Sequence, residues 1–272
     1  MPELSEVTQM AEGLHNKFAE KLLKSITWFA KPGKWTNNCA YENYSIFEKL
    51  LPLKLNKVWN KGKKIILEFD KDTYLISSPL MTGSWVFTNT KHQKYQLNFD
   101  DEKEFAIFND TRGQGLINIY FNKEELDKKL SEIGPDYLHG DITHEQYKQV
   151  ITGSRIKNKE ICDFLMNQKY FSGIGVWMKC EILYESKILP TRLLKDLTDD
   201  DIKVLYEKSM EVVKNAYEMK GLTIKDYLTV DGQRGKYEVK VYGRKIDNNG
   251  YKVLTGTFKD KRTSHYVPEV QK

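Results

Sequence analysis

Val7, Met10, Ala11, Leu14, Phe18 and Leu22 recur at three- and four-residue spacing, which predicts an amphipathic helix over residues 3–24 with Pro2 in its first turn. From about Lys54 to Phe121 the period changes. Short apolar runs (KKIILEF, TYLISS, SWVF, KYQLNF, EFAIF, LINIYF) alternate with clusters of Asn, Asp, Gly and Lys, the pattern of a β-sandwich or barrel. After Ile133-Gly134-Pro135-Asp136 the spacing is helical again, over about 160–168, 176–186, 198–219 and a shorter stretch near 223–228. From near Val239 two β-type runs, YKVLT and TSHYV, flank a turn of Gly, Phe, Lys and Asp, which predicts a basic hairpin. The expected class is α+β. A helix and β-sandwich would occupy residues 1–134, an all-α module 135–238 and a β-hairpin 239–272.

Composition narrows the possibilities. The chain has 272 residues, 40% of them hydrophobic, enough for two compact domains. No apolar run approaches the roughly 18 residues a spanning helix needs, so no membrane partner is expected. The start, MPELSEVTQM, has acids where a secretory signal carries basic residues, and Cys39, Cys162 and Cys180 are too few and too scattered for a disulfide framework or a four-ligand zinc site. An intracellular, reducing setting is expected. Net charge is +5, and its placement is informative: Lys240–Lys272 holds eight basic residues against three acids, whereas the remainder is balanced. The excess therefore lies in the last 33 residues, as in an arm laid on phosphate, or in a solvated basic tail.

Two constellations are candidates for chemistry. With Met1 removed, Pro2 would present a secondary amine, a group that attacks an aldehydic carbon and keeps an unprotonated fraction near neutral pH. Glu3, beside it, is placed to move protons. Taken alone, the same residues read more commonly as a helix-start proline followed by first-turn acids that the helix dipole favours. The second constellation is YFSGIG, residues 170–175, between two helical segments. Gly173 and Gly175 allow close backbone approach, and amides at the start of the next helix suit a phosphate; a plain helix-helix connection fits the local pattern as well.

The ordered set of segments resembles the formamidopyrimidine-DNA glycosylase and endonuclease VIII family of base-excision repair enzymes. PELSEV, KGKKIILEF, LMTGSW, DTRGQG, IGPD, QKYFSGIG, ILPTR and DGQRGKYEVKVYGRK carry the likeness along nearly the whole chain. The resemblance implies a bifunctional DNA glycosylase and AP lyase with no cofactor. Pro2 would attack C1′ of the damaged nucleoside, expel the base and form a Schiff base from which β/δ-elimination nicks the strand. It further implies that Glu3 is the acid/base partner, that Glu6 holds the first helix, that Lys63 grips phosphate, and that Met81 enters the hole left by the everted base. Gly173 and Gly175 would form the phosphate grip of a helix-two-turn-helix, and Arg262 would be the finger arginine that enters DNA.

The chain also departs from the family pattern. Ser5 replaces a second proline, Val176 stands where many relatives have an asparagine, and Gly113 and Gln114 stand where an arginine and a phenylalanine are frequent. Met81 is thereby expected to be the only strong wedge, which favours tolerance of single-stranded or bubble DNA beside duplex. No cysteine follows Cys180 and His265 is a lone candidate ligand, so a zincless, endonuclease VIII-like finger over Gly250–Pro268 is expected, packed through Val253, Phe258, Tyr266 and Val267. The expected enzyme works as a monomer on damaged DNA, with oxidised pyrimidines and ring-opened purines as its substrates. The alternative left open is a catalytically silent DNA-binding protein on the same scaffold.

Overall fold

The computed structural model describes residues 1–29, 41–100, 103–223, 230, 232 and 234–272. The chain forms two compact units, 1–132 with 223–235 and 133–222 with 236–272.

The first unit opens with α1 (Leu4–Phe18), whose buried stripe of Val7, Met10, Ala11, Leu14 and Phe18 follows the helical period of the sequence. The helix is shorter than the sequence predicts: Ala19 leaves the helical conformation and Glu20 turns to φ 71. Leu22, expected on the helical stripe, instead lies in β1 (Leu22–Leu23) and is exposed. The unit continues with β2 (Ser25–Trp28), α2 (Tyr41–Leu50), β3 (Leu53–Lys61), β4 (Lys64–Phe69), β5 (Thr73–Ser78), β6 (Gly83–Val86), β7 (Gln93–Asn98), β8 (Phe105–Asp110), β9 (Leu116–Tyr120) and α3 (Lys123–Ser131). Two antiparallel sheets result, in orders β1-β3-β4-β5-β9 and β2-β7-β8-β6. Their core is aromatic, with Phe18 stacked on Phe99 at 4.2 Å and Tyr95 on Phe108 at 5.1 Å between ring centroids.

In the second unit, α4 (His144–Ile151), α5 (Ile161–Met166), α6 (Val176–Glu185) and α7 (Asp199–Glu218) precede the hairpin of β10 (Leu254–Thr257) and β11 (Thr263–Tyr266). The start of α7 is set by a capping box: the Asp201 amide donates to Thr198 Oγ1 (3.1 Å) and the Thr198 amide to Asp201 Oδ2 (2.9 Å).

Three expectations change. The division falls after Glu132, so the IGPD segment belongs to the second unit; residues 223–235 return to the first; and the hairpin is part of the second unit and not a third body. The hairpin shares a buried cluster of Cys180, Tyr184, Val241, Val253 and Val267 with α6. Most of the short helix predicted near 223–228, and Cys39, lie outside the described residues.

Candidate active site and nucleic-acid interface

In the first unit, Pro2 precedes α1 and does not sit within its first turn; the N-cap is Glu3, in an extended conformation. Pro2 is buried while Met1 is 42% exposed. The Glu3 amide donates to Glu6 Oε2 at 2.9 Å, one half of a capping box, and both glutamates are almost fully buried. The positive end of α1 and these amide contacts offset the cost of burying two carboxyl groups beside Pro2. Ser5 is fully buried too, and among the described residues its Oγ has no hydrogen-bond partner, so the change from proline carries a polar cost.

Lys63 occupies the two-residue turn between β3 and β4, after Gly62 at φ 53, where tight hairpins favour glycine. Its neighbours are engaged on α3: Lys61 Nζ donates to the Leu130 carbonyl at 2.9 Å. Lys64 has its pKa lowered, chiefly by burial and then by the charge of Lys129.

Met81 lies in the loop Pro79–Thr82 between β5 and β6 and is half-buried. The loop is narrow at its base. The Gly83 amide donates to the Pro79 carbonyl at 2.9 Å, and a Cβ on Gly83 would approach that oxygen to 2.4 Å and Phe108 Cζ to 2.7 Å. Asp110, fully buried, ties this loop to the one carrying Gly113 and Gln114. Thr82 Oγ1 donates to Asp110 Oδ1, the Arg112 amide to the same oxygen at 3.1 Å, and the Gly115 amide to Oδ2 at 2.7 Å. The structure thus joins Glu3 to Glu6, and the Met81 loop to residues 110–115.

In the second unit, Gly173 adopts φ 107 and its amide donates to Gln168 Oε1 at 2.9 Å; Gln168 Nε2 returns a bond to the Ile174 carbonyl at 3.0 Å. Gly173 therefore shapes the turn, and the expected grip on phosphate would fall to amides beyond it. Gly175 is the N-cap of α6. The IGPD segment is strapped to this turn: Ser172 Oγ donates to the Gly134 carbonyl (2.8 Å) and the Ser172 amide to the Pro135 carbonyl (2.8 Å).

Arg262 is exposed in the β10–β11 turn, and its amide donates to Asp260 Oδ1 at 3.2 Å. Asp260 Oδ2 accepts from Lys179 Nζ on α6, in an ion pair with both side chains at most 1% exposed. The Lys259 amide donates to Glu160 Oε2 (3.0 Å) and the His265 amide to Cys180 Sγ (3.3 Å). The His265 ring lies edge-on to Tyr242, its pKa lowered by burial and by the Lys179 charge. Cys162 is held as a thiol, its pKa pushed up to about 12 by burial and the nearby Asp260. Among the described residues, no three His, Cys, Asp or Glu side chains are arranged around a metal position.

Residues 1–117 match the formamidopyrimidine-DNA glycosylase N-terminal domain and residues 133–227 the formamidopyrimidine-DNA glycosylase H2TH domain. A formamidopyrimidine-DNA glycosylase of Rickettsia felis is 30% identical over 263 residues, covering 91% of this chain and 89% of that one. The chain belongs to the formamidopyrimidine-DNA glycosylase family. The Pediococcus pentosaceus member is 28% identical over 248 residues, covering 89% of this chain and 87% of its own. The fold is that of Lactococcus lactis formamidopyrimidine-DNA glycosylase: a mutant form of that protein, solved with DNA containing Fapy-dG, superposes with a TM-score of 0.87 at 23% identity over 99% of both chains.

As a member of that family the chain is a DNA glycosylase with AP lyase activity, an enzyme of base-excision repair. No helix among the described residues is long and apolar enough to cross a membrane. What sequence reasoning missed in this glycosylase is the support beneath its expected site residues. Asp110 lies within DTRGQG with no role that its neighbours reveal, and Lys179 carries no signal, because its partner is 81 positions away.

Proposed function

We propose that this glycosylase removes oxidised pyrimidines and ring-opened purines from DNA through Pro2. The observation that carries the reading is Pro2 itself, buried outside the helical hydrogen-bond ladder and followed at once by the buried Glu3–Glu6 capping box. After removal of the exposed Met1, the Pro2 nitrogen bonds to C1′ as the glycosidic bond breaks, and the departing base takes up a proton. Ring opening of the sugar gives the iminium ion, and loss of the C2′ proton expels the 3′ phosphate. Glu3 is the acid/base group nearest these steps in sequence, and Glu6 holds it through the helix start.

In this reading the first unit carries the chemistry, with Lys63 on the phosphate beside the lesion and Met81 in the vacated stack. The second unit grips the backbone at the Gly173–Gly175 turn. Its hairpin is a finger of the zincless, endonuclease VIII-like kind, delivering Arg262. The partner is damaged duplex DNA and, with Gly113 and Gln114 at the opposite-strand loop, single-stranded or bubble DNA as well; the enzyme acts as a monomer.

Borohydride trapping on an abasic-site oligonucleotide tests the reading. Protein beginning at Pro2 is expected to be trapped and protein retaining Met1 is not; equal trapping of both removes Pro2 as nucleophile, and trapping of neither favours a silent DNA-binding protein. Glu3→Gln should keep DNA affinity while slowing base release by about 10²- to 10⁴-fold.

A further inference from the structure

Eight non-glycine residues among those described have positive φ, and seven of them are charged: Glu20, Lys71, Asp72, Asp141, Lys187, Lys220 and Lys261. The eighth is Leu80, at φ 51. A branched apolar side chain is disfavoured in this conformation, which glycine, asparagine or aspartate adopt with less strain. Burial does not compensate, because Leu80 is 40% exposed. Its backbone is nonetheless fixed, with the Pro79–Gly83 hydrogen bond on one side and Thr82 clamped to the buried Asp110 on the other. A strained, solvent-facing leucine held on a rigid loop needs a reason outside the folded chain.

We propose that Leu80 is a second apolar wedge, entering the base stack of duplex DNA beside Met81. The inference rests on the reading of the Pro79–Thr82 loop as the element that enters the DNA. Everting a base leaves a gap between neighbours that stay paired, and the opposite base loses its partner. Two adjacent apolar side chains fill such a gap and cover the orphaned base better than one. Gly113 and Gln114, on the loop that Asp110 joins to this one, supply no aromatic or aliphatic side chain for that purpose, and Arg112 before them is cationic. Leu80 supplies the missing apolar surface, and only a duplex presents the stack that receives it. The expectation of tolerance towards single strands is correspondingly narrowed in favour of duplex.

The strain provides a clean test, since relieving it and removing the wedge are the same substitution. Full-length Leu80→Gly and Leu80→Asn are compared with Met81→Ala and the parent on oligonucleotides carrying one tetrahydrofuran abasic-site analogue, in duplex and single-stranded form. Both Leu80 variants should melt no lower than the parent. They should bind the duplex about tenfold more weakly, the loss for one apolar side chain no longer buried. Single-strand affinity should stay within about twofold of the parent, on the same affinity scale. Unchanged duplex affinity alongside a loss in Met81→Ala overturns the role of Leu80 and leaves the loop reading standing. Unchanged duplex affinity in all three variants overturns the loop reading as well. A lowered melting temperature, or equal losses on duplex and single strand, assigns Leu80 to the fold and ends the proposal.

Discussion

The Pro79–Thr82 loop of the first unit and the β10–β11 turn of the second are both organised by a buried aspartate, but the two aspartates are satisfied differently. Asp110 accepts from one hydroxyl and two backbone amides, all neutral donors. Asp260 accepts one backbone amide and faces the full charge of Lys179 in a pair almost without solvent. A carboxylate ringed by neutral dipoles can lose one donor and keep the rest. A buried ion pair that loses one member leaves a bare charge in a poor solvent. The β10–β11 turn should therefore be the more brittle support, although both present an exposed residue on a turn.

Lys179→Met is the severest test of that contrast. It should cost about 3–5 kcal/mol, the range for breaking a buried pair from one side, and hydrogen exchange should show the loss at α6 and β11 while β4 and β5 keep their protection. Adding Asp260→Leu should recover most of the stability but not the placement of Arg262, whose amide loses its acceptor. Glycosylase activity should then stay low while lyase action on a preformed abasic site suffers less. Full recovery of both activities would show that Asp260 does not position Arg262.

Asp110→Asn should cost about 1.5–3 kcal/mol, because an amide nitrogen would then face either the Gly115 amide or the Thr82 and Arg112 donors. Thermal melting measures it; a cost equal to that of Lys179→Met would abolish the distinction between the two loops.

The smallest effect expected is a pH dependence. Burial and Lys179 lower the His265 pKa from its ordinary 6.5, so the unfolded chain takes up the proton more readily than the folded one. The contribution of His265 is fully present above about pH 6.5 and is lost as pH falls through the lowered folded-state value. His265→Gln should flatten the fall in melting temperature between neutral and mildly acidic pH; an unchanged slope would place the titration elsewhere.

What the sequence discloses follows the range of the interactions involved. The stripe of α1, the alternating runs of the sandwich and the segments around YFSGIG are local periodicities, and they emerge from spacing alone. α3 escapes notice because only Leu126 and Leu130 are buried along it; its start depends on Asn122 Oδ1 accepting the Glu125 amide. Pro2, Glu3 and Glu6 lie close together in the chain, so their grouping is legible, although the capping geometry moves Pro2 out of the helix. Asp110 with Thr82 and Lys179 with Asp260 are joined only by the fold, across 28 and 81 positions. No short-range pattern encodes either pairing.

The return of residues 223–235 to the first unit bears on the order in which the protein is made. Val230 is 7% exposed within the core formed by α1 and the two sheets, and a Cβ on Gly13 would come within 2.3 Å of its Cγ2. A ribosome working from the amino end has to finish residues 133–222 before it delivers this side chain. The nascent sandwich must wait with that place beside α1 unfilled, and a fragment ending at Glu132 would keep the vacancy permanently. Synthesis of the second unit is thus a precondition for closing the first core.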